Sequence, residues 1–210
     1  MNHIVLLGDS IFDNASYVPG GLPVISHLRA MLPPGWQATL AAVDGSVTTC
    51  IADQLNDCPE SATHLVLSVG GNDGLRELDV LRRSVRTVAE AVDRLAEIRL
   101  KFERNYSSAL DILISRGKPL AVCTIYDPCY PEPNTQRLLC TALNIFNDCI
   151  LREAFIRRLP VIDLRLVCTE AIDYANPIEP GVSGGRKIAA AILTLIQAHN
   201  FASPRSAIYT

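Results

Sequence analysis

Short apolar runs alternate with helical patterns from one end of this chain to the other, and that alternation leaves few folds open. Candidate strands are Ile4–Leu7, Gln37–Ala42, Leu65–Val69, Leu120–Ile125 and Val161–Leu164. Ile4 to Leu7 are all apolar, as a strand buried on both faces of a parallel sheet requires. Helical patterns cover Val24–Met31, Ile51–Leu55, Asp79–Arg116, Gln136–Arg158 and Ser183–His199. Strands alternating with helices need crossover connections and a mainly parallel sheet. The expected architecture is a single three-layer α/β/α domain over residues 1–210 with a five-stranded parallel sheet. Asp79–Arg116 is too long for one helix of a compact domain, so a break near Lys101–Asn105 into two packed helices is expected. Pro33-Pro34-Gly35 marks a loop before the second strand, and Asp127-Pro128 through Pro133 a rigid loop after the fourth. No repeat or linker divides the chain, and the tail from Ala202 is expected to be loosely held.

A chain of 210 residues buries a full sheet without staples. Its 49% apolar and 20% charged residues belong to a soluble globular protein. Nineteen basic against 22 acidic side chains give a net charge of −3, which offers no footprint for nucleic acid or an anionic membrane. Arg82, Arg83 and Arg86 fall in a helical pattern and read as a solvated face. No apolar stretch reaches the roughly 18 residues of a membrane span, and Ile4–Leu7 is far too short for a secretory h-region. The seven cysteines form no C-x-x-C pair and have no histidine at metal-ligand spacing. Reduced thiols, a cytoplasmic location and no metal or cofactor are therefore expected, and the sequon at Asn105 carries no meaning. Nothing in the sequence sets an oligomeric state.

In a parallel sheet every loop that follows a strand opens on one rim. Those loops carry Gly8-Asp9-Ser10, Asp44-Gly45-Ser46, Gly70-Gly71-Asn72-Asp73-Gly74 and Tyr126-Asp127-Pro128. A serine, glycine N–H groups and an asparagine amide converging there outline an acyl-transfer site, in which a nucleophile needs a base and its intermediate needs preorganised donors. Asp9 and Asp73 read as structural, tying the loops by carboxylate-to-N–H hydrogen bonds.

Gly8-Asp9-Ser10-Ile11, Gly45 and Gly70-Gly71-Asn72-Asp73 resemble, in order and spacing, the first three blocks of the SGNH hydrolases, also called GDSL esterases and lipases. The family's fourth block, Asp-x-x-His-Pro before small residues and a helix, is matched in its frame. Here Asn176-Pro177-Ile178-Glu179-Pro180 precedes Gly184-Gly185-Arg186-Lys187-Ile188-Ala189. The resemblance covers about residues 3 to 198. It implies the SGNH, flavodoxin-like fold and hydrolysis of small carboxylic esters or O-acyl groups. Ser10 would be the nucleophile, with its own N–H, the Gly45 N–H and the Asn72 side chain as oxyanion hole.

The chain departs from that pattern where the family's general base stands: Glu179 replaces the histidine and Asn176 the aspartate. No other histidine is well placed. His3 and His64 begin strand runs at the far end of the sheet, roughly 20 Å from the rim at ~3.3 Å per residue. His199 lies about 25 Å beyond Glu179 along a helix at ~1.5 Å per residue. Only His27, early in the first helical region, has a path inward.

Two readings follow. In the first, Glu179 is the general base of a Ser–Glu dyad and Asn176 donates it an uncharged hydrogen bond, where aspartate would repel it. A carboxylate near 4.3 is about two units less basic than imidazole, so this reading needs burial to raise it. In the second, the site binds a small acyl or carbohydrate ligand, or serves as a scaffold, without hydrolysis. Asp127 is another acid on the rim, but its Asp-Pro step reads first as turn chemistry. The Asp127–Pro133 loop is expected to wall an open pocket without a lid, suited to small esters and not to long-chain lipids.

Overall fold

The computed structural model describes residues 2–203 and 205–210. In chain order its elements begin with β1 (His3–Gly8), α1 (Val24–Met31), β2 (Gln37–Leu40), α2 (Ile51–Gln54) and β3 (His64–Ser68). They continue through α3 (Gly71–Arg76), α4 (Val88–Ile114), β4 (Leu120–Cys123), α5 (Pro133–Ile156) and β5 (Val161–Ile162). The C-terminal part holds α6 (Leu164–Val167), β6 (Tyr174–Asn176), β7 (Glu179–Pro180), α7 (Val182–Ala198) and β8 (Ile208–Tyr209).

The main sheet has six strands in the order β2-β1-β3-β4-β5-β8, all parallel. Side chains alternate across it, as the two-residue strand period dictates. Ile4 and Leu6 enter one core with Leu28 of α1 and Ile188 and Ile192 of α7. Val5 and Leu7 enter the other with Phe102 and Leu110 of α4 and Ile150 of α5. These four β1 side chains are fully buried, each contributing on the order of 2 kcal/mol by leaving water. With β2 on one side of β1 and β3 on the other, the winding reverses at β1, so the crevice opens at its carboxyl end.

The structure corrects three expectations. The sheet has six strands and not five, because Ile208 and Tyr209 pair with Val161 and Ile162. The tail is therefore tied down: Val161 N–H donates to Ala207 O and Asp163 N–H to Tyr209 O, each at 2.8 Å. Without it β5, only two residues long, would leave an open edge. The long helical stretch is also broken elsewhere than at Lys101–Asn105. A 3-10 turn spans Leu78–Arg82, residues 83–87 are non-helical, and α4 then runs unbroken for 27 residues, about 40 Å. Thr87 caps its start by accepting from Glu90 N–H at 3.1 Å. Phe102, Tyr106, Ala109, Leu110 and Leu113 form one continuous buried stripe through the expected break.

Candidate active site

The turn after β1 is built on Gly8. Its φ of 131° and the 1.8 Å that would separate an added Cβ from Ser68 O admit only glycine. Gln54 clamps the same residue, accepting from Gly8 N–H at 2.8 Å and donating to Gly8 O at 2.7 Å and to Ser46 Oγ at 3.1 Å. Asp9 N–H then donates to Ser68 O at 3.1 Å, and Asp9 Oδ1 accepts from Ile11 N–H at 3.1 Å. Ser10 is thereby fixed at the rim with its Oγ turned toward the C-terminal part of the chain.

There Ser10 Oγ donates to Glu179 Oε1 at 3.1 Å, across 169 positions of sequence. Both residues are only 7% exposed. Glu179 opens β7 of a tight antiparallel hairpin whose turn is Pro177-Ile178. Three contacts pin that hairpin over Ser10, the first of them buried. Asn14 Nδ2 donates to Pro180 O at 2.9 Å, Tyr126 OH to Ile178 O at 2.7 Å and Cys129 N–H to Pro177 O at 2.8 Å. Asn176 acts otherwise than expected. Its Oδ1 accepts from the N–H groups of Ile178 and Glu179 at 2.9 and 3.0 Å. It therefore shapes the turn as an Asx cap and places Glu179 through the backbone, without a bond to the carboxylate.

The donor groups are less convergent than the proton pair. Neither Ser10 N–H nor Gly45 N–H has a protein acceptor among the described residues. Gly45 sits at φ +78° in an exposed turn outside the pocket lining. Asn72 lines the pocket and spends one of its two amide hydrogens on Ser46 O at 3.0 Å. Asp73 ties the neighbouring loops by accepting from Thr48 N–H at 3.0 Å and Thr48 Oγ1 at 2.7 Å, as expected.

Ser10 and Glu179 border a pocket of about 110 Å³ whose other walls include Leu75, Leu78, Leu143 and Phe146, with Pro128 and Tyr130 from the loop after β4. Burial pushes the Glu179 carboxyl up to about 7, and the Asp44 charge adds to the rise while the Ser10 hydrogen bond opposes it. Asp9, 1% exposed, is pushed up to about 8, chiefly by burial, with the charges of Glu179 and Asp73 adding and the Ile11 N–H opposing. Among the described residues, the buried Asp9 Oδ2 and Glu179 Oε2 meet no hydrogen-bond donor. Among the described residues no histidine, lysine or arginine lines the pocket. His3 is held by Ser61 and Thr39, His64 by Thr63 and His199 by Tyr209, while His27 is buried on α1. Among the described residues no cluster of three or more His, Cys, Asp or Glu stands ready for a metal, and no helix is long and apolar enough to cross a membrane.

Sequence reasoning missed Asn14 and Gln54, and it placed Tyr126 on the rim without its bond to the Glu179 hairpin. All three act by bridging segments far apart in the chain, and a single polar side chain carries no periodic signal of that.

The sheet order, the glycine turn after β1 and the carboxyl-end crevice make a flavodoxin-like α/β fold of the kind that SGNH hydrolases share. No family model and no curated protein matches the sequence. Solved structures do match the fold over nearly the whole chain. A lipolytic protein of the G-D-S-L family from Veillonella parvula superposes with a TM-score of 0.70 at 16% identity, covering 95% of this chain and 100% of its own. An acetyl xylan esterase, AlAXEase, gives 0.68 at 19% identity, covering 92% and 99%. An extracellular lipase from Streptomyces rimosus gives 0.66 at 15% identity, covering 95% and 100%.

Proposed function

We propose that this protein is a serine hydrolase of small carboxylic esters or O-acyl groups. One observation carries the reading: the buried Ser10 hydroxyl donates its proton to a buried carboxylate at 3.1 Å. Burial supplies the basicity that a carboxylate otherwise lacks, since a group near 7 is matched to proton transfer at neutral pH. The ester hydrolase and lipase descriptions of the proteins that share the fold support the same chemistry.

In this mechanism Ser10 Oγ attacks the acyl carbon as its proton passes to Glu179 Oε1. The Ser10 N–H and the second amide hydrogen of Asn72 receive the developing oxyanion, while the Gly45 N–H, in a turn outside the pocket lining, takes no part. Glu179 returns the proton to the departing alcohol as the ester C–O bond breaks, leaving an acyl-serine. Water activated by Glu179 then releases the acid and restores the Ser10 hydroxyl. Asn176 is a positioning residue that sets the turn carrying Glu179.

Turnover of p-nitrophenyl acetate tests the dyad. Ser10→Ala and Glu179→Gln are each expected to lower kcat/KM by about 10²-fold or more. Activity that survives Glu179→Gln removes the carboxylate from the mechanism, and ligand binding without any turnover favours a binding protein.

A further inference from the structure

Two cavities meet at one aromatic ring. The apolar pocket of about 110 Å³ opens from Ser10, and behind it lies a polar cleft of about 190 Å³ bounded by Asp73, Arg76, Lys101 and Asn105. Phe146 of α5 lines both. Its ring stands edge-on to Phe102, with centroids 4.9 Å apart and planes at 61°. Helix α3 completes the partition, since Gly71, Asn72, Gly74 and Leu75 face the pocket while Asp73 and Arg76 face the cleft. A Cβ on Gly74 would lie 3.6 Å from the Phe146 ring, so the missing methyl is itself part of the pocket's depth.

We propose that Phe146 is the specificity-determining residue that ends the acyl pocket, limiting the acyl group to a neutral aliphatic chain of about four carbons. This rests on the hydrolase reading above. An apolar cavity of ~150 Å³ holds the six carbons of benzene, which scales to about four carbons in the space found here. Neutrality follows from the lining: Asp9 and Glu179 border the pocket and no cation among the described residues answers them. An anionic acyl group would enter without a counter-charge. A longer chain meets the ring. Beyond it stand Lys101, paired with Glu77 at 2.8 Å, and Arg76, whose side chain makes no hydrogen bond or ion pair among the described residues. Removing the ring joins the two spaces into one channel with cations at its far end.

The test compares kcat/KM for p-nitrophenyl acetate, butyrate and octanoate in the parent, Phe146→Ala, Phe146→Leu and Gly74→Ala. The parent is expected to prefer butyrate to acetate by about tenfold, the effect of burying two further methylenes, and to gain nothing from octanoate. Phe146→Ala raises the octanoate-to-butyrate ratio by about tenfold, Phe146→Leu moves it less in the same direction with most of the packing kept, and Gly74→Ala lowers the butyrate-to-acetate ratio. An unchanged ratio in a folded Phe146→Leu protein overturns the proposal. Calorimetric affinities of the butyrate and octanoate esters for Ser10→Ala, with and without Phe146→Leu, separate the two readings. A shifted affinity ratio together with no turnover by the parent protein upholds the partition and removes the hydrolase, whereas an affinity ratio unchanged by Phe146→Leu removes the partition.

Discussion

Replacing Asp9 by asparagine tests the electrostatics of the site through stability alone. Unfolded, an aspartate titrates near 3.9, whereas the folded Asp9 carboxyl is pushed up to about 8 by burial. Between those values the folded state keeps a proton that the unfolded state has released, so stability must fall as pH rises. The loss is about 1.4 kcal/mol for each pH unit in the window, or on the order of 4 kcal/mol between pH 5 and pH 8. Glu179 adds a loss of the same sign that ends near pH 7, where its own carboxyl titrates. Asp9→Asn keeps the Oδ1 that accepts from Ile11 N–H and removes the titrating proton. Urea unfolding followed through Trp36, the single tryptophan, reads stability at each pH. The parent-minus-variant difference cancels the histidines and the remaining acids. That difference is expected to change by about 4 kcal/mol from pH 5 to pH 8, with the variant level above pH 7. Parallel parent and variant curves across the window would refute the reasoning, whatever the variant's absolute stability.

Three further outcomes follow from the same contacts. If Glu179 is the working base, kcat/KM rises about tenfold per pH unit below a midpoint near 7 and levels above it. Asp44→Asn moves that midpoint down, because the Asp44 charge helps raise Glu179; a profile flat from pH 5 to pH 9 is the contrary result. Asn14→Ala strands the Val24 N–H and Pro180 O that Asn14 now joins at 2.9 Å each, costing about 3 kcal/mol in chemical denaturation and lowering activity by loosening the Glu179 hairpin. A loss under ~1 kcal/mol would show that the two segments are held by other contacts.

The elements that show in the sequence are those whose signal is local. β1, α1 and α7 lie where apolar run and helical period put them, because each is read from neighbouring residues. β8 did not show, because two residues against a two-residue partner strand have no period to read. The break before α4 also escaped, since Thr87 with Glu90 three residues on is a modest cap signal inside a continuous helical pattern. At the site, Ser10 and Glu179 were legible through the spacing of their motifs, and the structure brings them together. The role of Asn176 was misread because residue type gives no orientation: the same amide can donate through nitrogen or accept through oxygen, and the turn decides.

The exchange of an imidazole for a carboxylate raises the question of how a weaker base could serve, and the hairpin supplies a physical answer. Asn176, Asn14, Tyr126 and Cys129 fix the backbone around Glu179, and the Ser10 hydroxyl holds its carboxylate in the buried site. Held in that place, it gains one hydrogen bond from Ser10 and, among the described residues, leaves Oε2 buried without a donor. An incompletely solvated carboxylate holds its proton more tightly, which brings it to about 7, beside the ~6.5 of a free imidazole. Asparagine at 176 serves this arrangement better than aspartate. Either would accept from the two backbone N–H groups, but aspartate would add a negative charge near Glu179 and make its carboxyl hold the proton more tightly. If Glu179 is the working base, the two departures from the SGNH pattern are one change, in which burial would do the work that a charged partner does for histidine.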